Sequence, residues 1–184
     1  MTLTKTPICN FGEKAKDFNL LSTENKKVSL VNVKGERGTL IMFICNHCPY
    51  VKAVIRYIVE DAKYLETLGI KSAAIMSNDV KHYPEDSFEN MISFSNLHAF
   101  SFPYLIDETQ EVAKKYGAVC TPDFFGYNKN LELQYRGRIR ELKNLKPIRK
   151  GNSDLSIAME QIAKSGNGPK NQIPSMGCNI KWIK

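Results

Sequence analysis

Residues 38–68 constrain the fold more than any other stretch of the chain. Gly38 precedes the apolar run Thr39-Leu-Ile-Met-Phe-Ile44. A run of that length with no polar alternation reads as a strand covered on both faces. From Pro49 to about Leu68 the apolar residues Val51, Val54, Ile55, Ile58, Ala62, Leu65 and Leu68 recur at helical spacing. That is the pattern of a helix with one buried stripe, and Gly69 ends it. The handover between the two is Cys45-Asn-His-Cys48-Pro49. Proline suits the first helical position, where a missing N–H costs nothing, so Cys48 becomes the N-cap. Free backbone N–H groups and the helix dipole favour a thiolate there. Cys48 is the candidate nucleophile.

The rest of the chain alternates strands and helices. Lys27–Val31 reads as a short strand after the polar turn Ser22–Lys26, and Lys71–Met76 as the second central strand. Asp86-Ser-Phe-Glu89 resembles a capping box with Asp86 as the cap, leading a helix to about Ser95. Phe102–Ile106 is extended, and Thr109–Tyr116 is a helix closed by Gly117. Asp123–Tyr127 and Leu131–Tyr135 flank the turn Asn128-Lys-Asn130 as a hairpin, and Ser153–Lys164 is the last helix. The tail, 165–184, holds Ile180, Trp182 and Ile183, an apolar cluster that a disordered segment would rarely carry, so it is expected to pack back on the domain. Neither a repeat nor a linker divides 1–184, which is read as one domain. A βαβ unit, a further helix, a hairpin and a closing helix give an α/β fold of thioredoxin-like layout. Its mixed central β-sheet carries helices on both faces, with an N-terminal extension.

Composition narrows the function. Hydrophobic content of 42% and charged content of 24% suit a globular protein. No apolar run approaches the ~18 residues of a bilayer span, so no membrane partner is expected. Met1–Phe11 has no apolar h-region, so a reducing, cytoplasmic setting is expected. The five cysteines, Cys9, Cys45, Cys48, Cys120 and Cys178, are odd in number and scattered, unlike a secreted disulfide framework. The net charge of +7 is uneven: residues 129–184 carry 12 Lys and Arg against 4 Asp and Glu. Without interleaved aromatics or a binding motif, that stretch reads as a solvated basic face, and no nucleic-acid partner is expected.

A specific resemblance adds to this reading. The strand, Cys48 and the helix align without a gap to the active-site segment of thioredoxin. Cys48 falls on that family's attacking cysteine, and Val51 falls where its second cysteine stands. The CxxC formed by Cys45 and Cys48 is therefore displaced by three residues toward the strand. Thr121-Pro122, after Ala118-Val-Cys120, looks like thioredoxin's cis-proline, which packs against the active cysteine and presents a backbone edge to substrate. More of the chain is similar to the peroxiredoxin-like (redoxin, AhpC/TSA-type) proteins. The matching pieces are Cys45–Val51, Ser77-Asn-Asp79 with Tyr83-Pro-Glu-Asp86, Cys120-Thr-Pro-Asp-Phe-Phe125, Tyr135-Arg-Gly-Arg138 and Pro174–Trp182.

The resemblance implies a catalytic set of Cys48, Cys45, Cys120, Thr121 and Pro122, with Cys120, and Cys45 close behind it, as the resolving thiol. Chemistry on thiols alone needs no cofactor and no metal. The expected partners are protein or small-molecule thiols and disulfides, with peroxide as an alternative oxidant. Three readings follow, in order: a thiol–disulfide oxidoreductase, a thiol peroxidase, and a metal-binding module built on Cys45, His47 and Cys48, with Cys120 as a fourth ligand. Peroxidase stands second because the peroxiredoxin motif P-x-x-x-T-x-x-C has Ile41 and Cys45 here in place of Pro and Thr. Arg136 and Arg138 are read as surface residues, and Asp79, Glu85 and Asp86 as capping or loop-ordering residues. Cys178 is read as a packed thiol or a distant resolving cysteine.

Overall fold

The computed structural model describes residues 2–184. The strands are β1 (Leu3–Lys5), β2 (Asn19–Ser22), β3 (Lys27–Ser29), β4 (Gly38–Phe43), β5 (Ile70–Met76), β6 (Tyr104–Ile106), β7 (Cys120–Thr121), β8 (Asp123–Asn128), β9 (Leu133–Tyr135), β10 (Leu142–Lys143), β11 (Lys146–Pro147) and β12 (Met176–Asn179). The helices are α1 (Leu30–Val33), α2 (Pro49–Thr67), α3 (Phe88–Leu97), α4 (Glu111–Tyr116) and α5 (Asp154–Ser165).

Seven strands form the main sheet in the order β3-β2-β6-β5-β4-β8-β9. β4 runs parallel to β5 and antiparallel to β8, so the sheet is mixed. Every residue of β4 is buried, as its unbroken apolar run requires. Leu40, Met42 and Ile44 join a core with α2, α3 and α5, while Ile41 and Phe43 join a second core with α1 and α4. Helices therefore cover both faces, and the thioredoxin-like architecture is what the sequence implies. Among the described residues no helix is long and apolar enough to cross a membrane.

The departures from the expected elements have local causes. The strand at Lys27 stops at Ser29, because Ser29 and Asn32 form a reciprocal cap that turns Leu30–Val33 into a helical turn. Ser87, not Asp86, caps α3: its Oγ accepts the Asn90 amide, while Pro84–Asp86 form a 3-10 turn. Helix α4 starts two residues later than expected, after Gln110 in a left-handed conformation. Leu131, at φ 58°, belongs to the hairpin turn and not to β9.

The tail does pack on the domain, and as a strand. β12 lies between β1 and β7 in a small three-stranded sheet. The second domain-wide tie joins α2 to α5, where the Ser153 hydroxyl donates to the buried carboxylate of Asp61 and also caps α5 at Ser156 N, 2.8 Å away. Burial pushes Asp61 up to about 6, and the Ser153 hydroxyl opposes that rise. Ser153→Ala should therefore destabilise the protein by about 1–3 kcal/mol at pH 7, from the lost cap and the stranded carboxylate. Since Asp61 titrates above the ordinary carboxylate range, the penalty on its charged form is full above that point and fades as pH falls through it. Urea unfolding at both ends of that range measures the loss, which should be smaller in acid.

Candidate active site

The residues after β4 are held in place by one buried carboxylate. Asp86, fully buried, accepts the backbone amides of Asn46 (2.8 Å) and His47 (3.2 Å), the side-chain amide of Asn78 (2.8 Å) and the His47 ring at Nδ1 (2.6 Å). Burial works against its ionisation, but the bonds from His47, Asn78 and Asn46 outweigh that and hold its pKa below the ordinary value. Asn46 is fixed further by the Tyr104 hydroxyl (2.9 Å) and by its own bond to Glu85 O (3.1 Å). The His47 ring stacks on Tyr83 at 5.6 Å between centroids. Hydrogen bonding to Asp86 raises the His47 pKa.

That loop delivers Cys48 to the N-cap of α2, with Pro49 next, as its sequence requires. Its thiol lies 3.2 Å from the carbonyl of Thr121, and the Cys45 thiol lies 3.4 Å from the Thr121 hydroxyl. Thr121–Pro122 is a cis peptide, in agreement with the resemblance to thioredoxin. The Cys48 pKa falls well below the ordinary thiol range. The Cys45 thiol, which donates to its sulfur, is the largest cause, joined by Thr121 and by the backbone amides of Val51 and Cys178; burial opposes them. Cys45 moves the opposite way, raised because its proton is held toward Cys48 and because it is buried. One thiol of the pair is thus an acid and its neighbour a proton-keeping donor.

The five residues expected at the site converge, though not equally. Cys48, Cys45, Thr121 and Pro122 form one cluster. Cys120 is close by but turned away, its thiol aimed at Pro122 O at 3.8 Å, and burial raises its pKa. Cys178, read as a packed thiol or a distant resolving cysteine, lies beside them: on β12 it stands opposite Thr121, and its thiol interacts with that of Cys48. None of the five cysteines is in a disulfide.

Three other expectations need correction. Arg136 is not a surface residue: it is buried, paired with Asp123 at 2.9 Å and stacked on Phe125. Arg138 is mostly buried as well and pairs with Asp154 at 2.6 Å. Asp86 does not cap α3, and of the two roles expected of it the structure shows loop ordering, as the anchor of the Cys45–Cys48 loop. Ser87 carried the missed signal: a serine directly after Asp86 can cap the helix itself, which leaves the aspartate to turn inward. A metal could be offered Cys45, His47 and Asp86, whose ligand atoms lie within 4.8 Å of one another. That set differs from the expected Cys45, His47, Cys48 and Cys120, and two of its members are already bonded to each other.

The AhpC/TSA family matches residues 11–142 of this chain. This chain belongs to the AhpC/TSA family. An uncharacterized conserved protein from Geobacillus kaustophilus is 39% identical, with a TM-score of 0.94 over 100% of this chain and 97% of that one. A hypothetical protein from Sinorhizobium meliloti 1021 is 33% identical, with a TM-score of 0.90 over 98% of each chain. Peroxidoxin BcpB from Mycobacterium tuberculosis shares the fold at 14% identity, with a TM-score of 0.56 over 69% of this chain and 83% of that one. No curated protein matches. The AhpC/TSA assignment places the chain with the thioredoxin-fold thiol oxidoreductases and peroxidases.

Two measurements check the electrostatics. Alkylation of Cys48 by iodoacetamide, resolved by mass spectrometry, should follow a thiolate titrating well below the free value of ~8.5, and Cys45→Ala should move its midpoint upward. By NMR, Asp86→Asn should lower the His47 pKa. A raised histidine pKa contributes stability that is complete below its unfolded value, about 6.5, and is lost as pH rises through the folded value. The stability cost of Asp86→Asn should accordingly be greater in mild acid than in base.

Proposed function

We propose that this protein is a thiol–disulfide oxidoreductase in which Cys48 is the attacking thiolate and Cys45 the resolving thiol. The observation that supports it most is the convergence of the two thiols on Thr121: Cys48, at the N-cap of α2, lies 3.2 Å from its carbonyl and Cys45 lies 3.4 Å from its hydroxyl. In the forward direction the Cys48 thiolate attacks one sulfur of a substrate disulfide. A Cys48–substrate disulfide forms and the second substrate sulfur leaves as a thiolate. Cys45 then loses its proton and attacks Cys48 Sγ, which releases the remaining substrate thiolate and leaves a Cys45–Cys48 disulfide. The substrate's two sulfurs are reduced as the two protein sulfurs are oxidised. His47 Nδ1, 3.9 Å from Cys45 Sγ, already holds its proton toward Asp86, so the Cys45 proton passes to the departing substrate thiolate.

Peroxide reduction is the second reading, supported by the family assignment. It would require Cys48 to attack an O–O bond and become a sulfenic acid. Cys45 stands where peroxiredoxins have their Thr, and the guanidiniums of Arg136 and Arg138 are paired with Asp123 and Asp154. Those features favour disulfide exchange.

In a disulfide reductase assay with a coupled thiol reductant, Cys48→Ser should reduce turnover to the uncatalysed rate. Cys45→Ser should retain the first attack and accumulate a mixed disulfide visible by mass spectrometry. Cys120→Ser should keep most of the activity. Full activity in Cys48→Ser would sink the proposal.

A further inference from the structure

The reactive sulfur is sealed: Cys48 is 0% exposed and Cys45 1%. The C-terminal strand covers the β7 edge beside it. β12 runs antiparallel to β7, with Cys178 opposite Thr121 and Asn179 opposite Cys120. The pairing continues on either side, as Ser175 Oγ donates to Pro122 O at 2.7 Å and Ile180 N to Val119 O at 3.1 Å. Gly177 is pressed so close to the Thr121 carbonyl that a Cβ would overlap it and would stand 3.2 Å from Pro122 Cδ. The side chain of Met176 lines a cavity of about 410 Å³ together with Tyr50, Val54, Pro122 and Leu142. From the outside β12 is held by β1, with Leu3 opposite Cys178.

Every feature a polypeptide disulfide would need at Cys48 is thus already filled by a piece of this chain. An extended backbone lies along the β7 edge. A cysteine lies opposite Thr121, in thiol contact with Cys48. A residue without a side chain faces the Thr121–Pro122 peptide, and an apolar residue lines the adjoining cavity.

We propose that β12 is an internal stand-in for the substrate, and that the substrate is an extended polypeptide segment of the pattern apolar–small–Cys that displaces β12 and adds as a strand to β7. The proposal rests on the thiol–disulfide reading and names its substrate class. Strand addition supplies affinity through main-chain hydrogen bonds and specificity through alternate side chains. Its cost is the free energy of lifting β12, which lowers apparent affinity by the fraction of molecules already open.

The test uses the full chain and a synthetic peptide Ser-Met-Gly-Cys-Asn whose cysteine is activated as a disulfide with thionitrobenzoate, so that attack releases a coloured thiolate. A second peptide carries Asp in place of Met. Gly177→Ala should push β12 off the edge, and Ser175→Ala should loosen it by one hydrogen bond without a new contact. Both variants should consume the Met peptide faster than the parent chain, Gly177→Ala by about tenfold as the closed-state tax is removed. All three proteins should prefer the Met peptide to the Asp peptide. Equal rates in the parent and both variants, with Cys48 still alkylated as a low-pKa thiol, would overturn the stand-in and leave the redox reading intact. A separate failure is a folded Gly177→Ala in which Cys48 is alkylated faster than in the parent chain yet attacks neither the peptides nor hydroxyethyl disulfide. That result would overturn the redox reading beneath the proposal.

Discussion

A thiolate buried at residue 48 has no water to solvate it, so its charge must be met by donors drawn from the protein. They come from separate parts of the chain: the Cys45 thiol before α2, the Val51 amide in its first turn, the Thr121 hydroxyl from β7 and the Cys178 amide from β12. Each donor belongs to an element with its own reason to be where it is, and the Cys45 thiol contributes most to the low pKa. Burial alone would raise the pKa of Cys48, as it does for Cys120 a few residues from the same edge. The difference between the two cysteines is therefore hydrogen bonding and not depth.

Asp86 does for the loop what those donors do for the sulfur. By accepting two consecutive backbone amides and a histidine ring, it converts Cys45–Cys48 from a flexible connection into a rigid cradle. A buried carboxylate of this kind would be costly without partners; with several bonds it is a strong organiser. The consequence for chemistry is that the loop carrying both thiols is held by a residue that hydrogen-bonds to neither.

Much of this was legible in the sequence because the signals are local. The β4 apolar run, the stripe of α2, Pro49 and Thr121-Pro122 each state their role within a few residues, and together they locate the sheet, the N-cap and the neighbouring proline. Cys178 was harder, since its proximity to Cys48 depends on β12 pairing with β7 across a separation of 57 residues, Thr121 to Cys178. No periodicity in a four-residue strand reveals its partner. Arg136 misled for the same reason: a strand arginine reads as solvated until the fold places Asp123 under it. Asp86 misled because an aspartate ahead of a helix serves equally well as a cap or as a buried anchor, and only the loop it faces decides between them.

The central claim is that Cys48 is the nucleophile and Cys45 its partner. The most direct measurement is disulfide mapping by mass spectrometry after the reduced protein has taken up one equivalent of oxidised glutathione. The account predicts one dominant intramolecular bond, between Cys45 and Cys48, with Cys120 left as a thiol. Recovery of Cys48 as an unmodified thiol, while any other cysteine is oxidised, would contradict it.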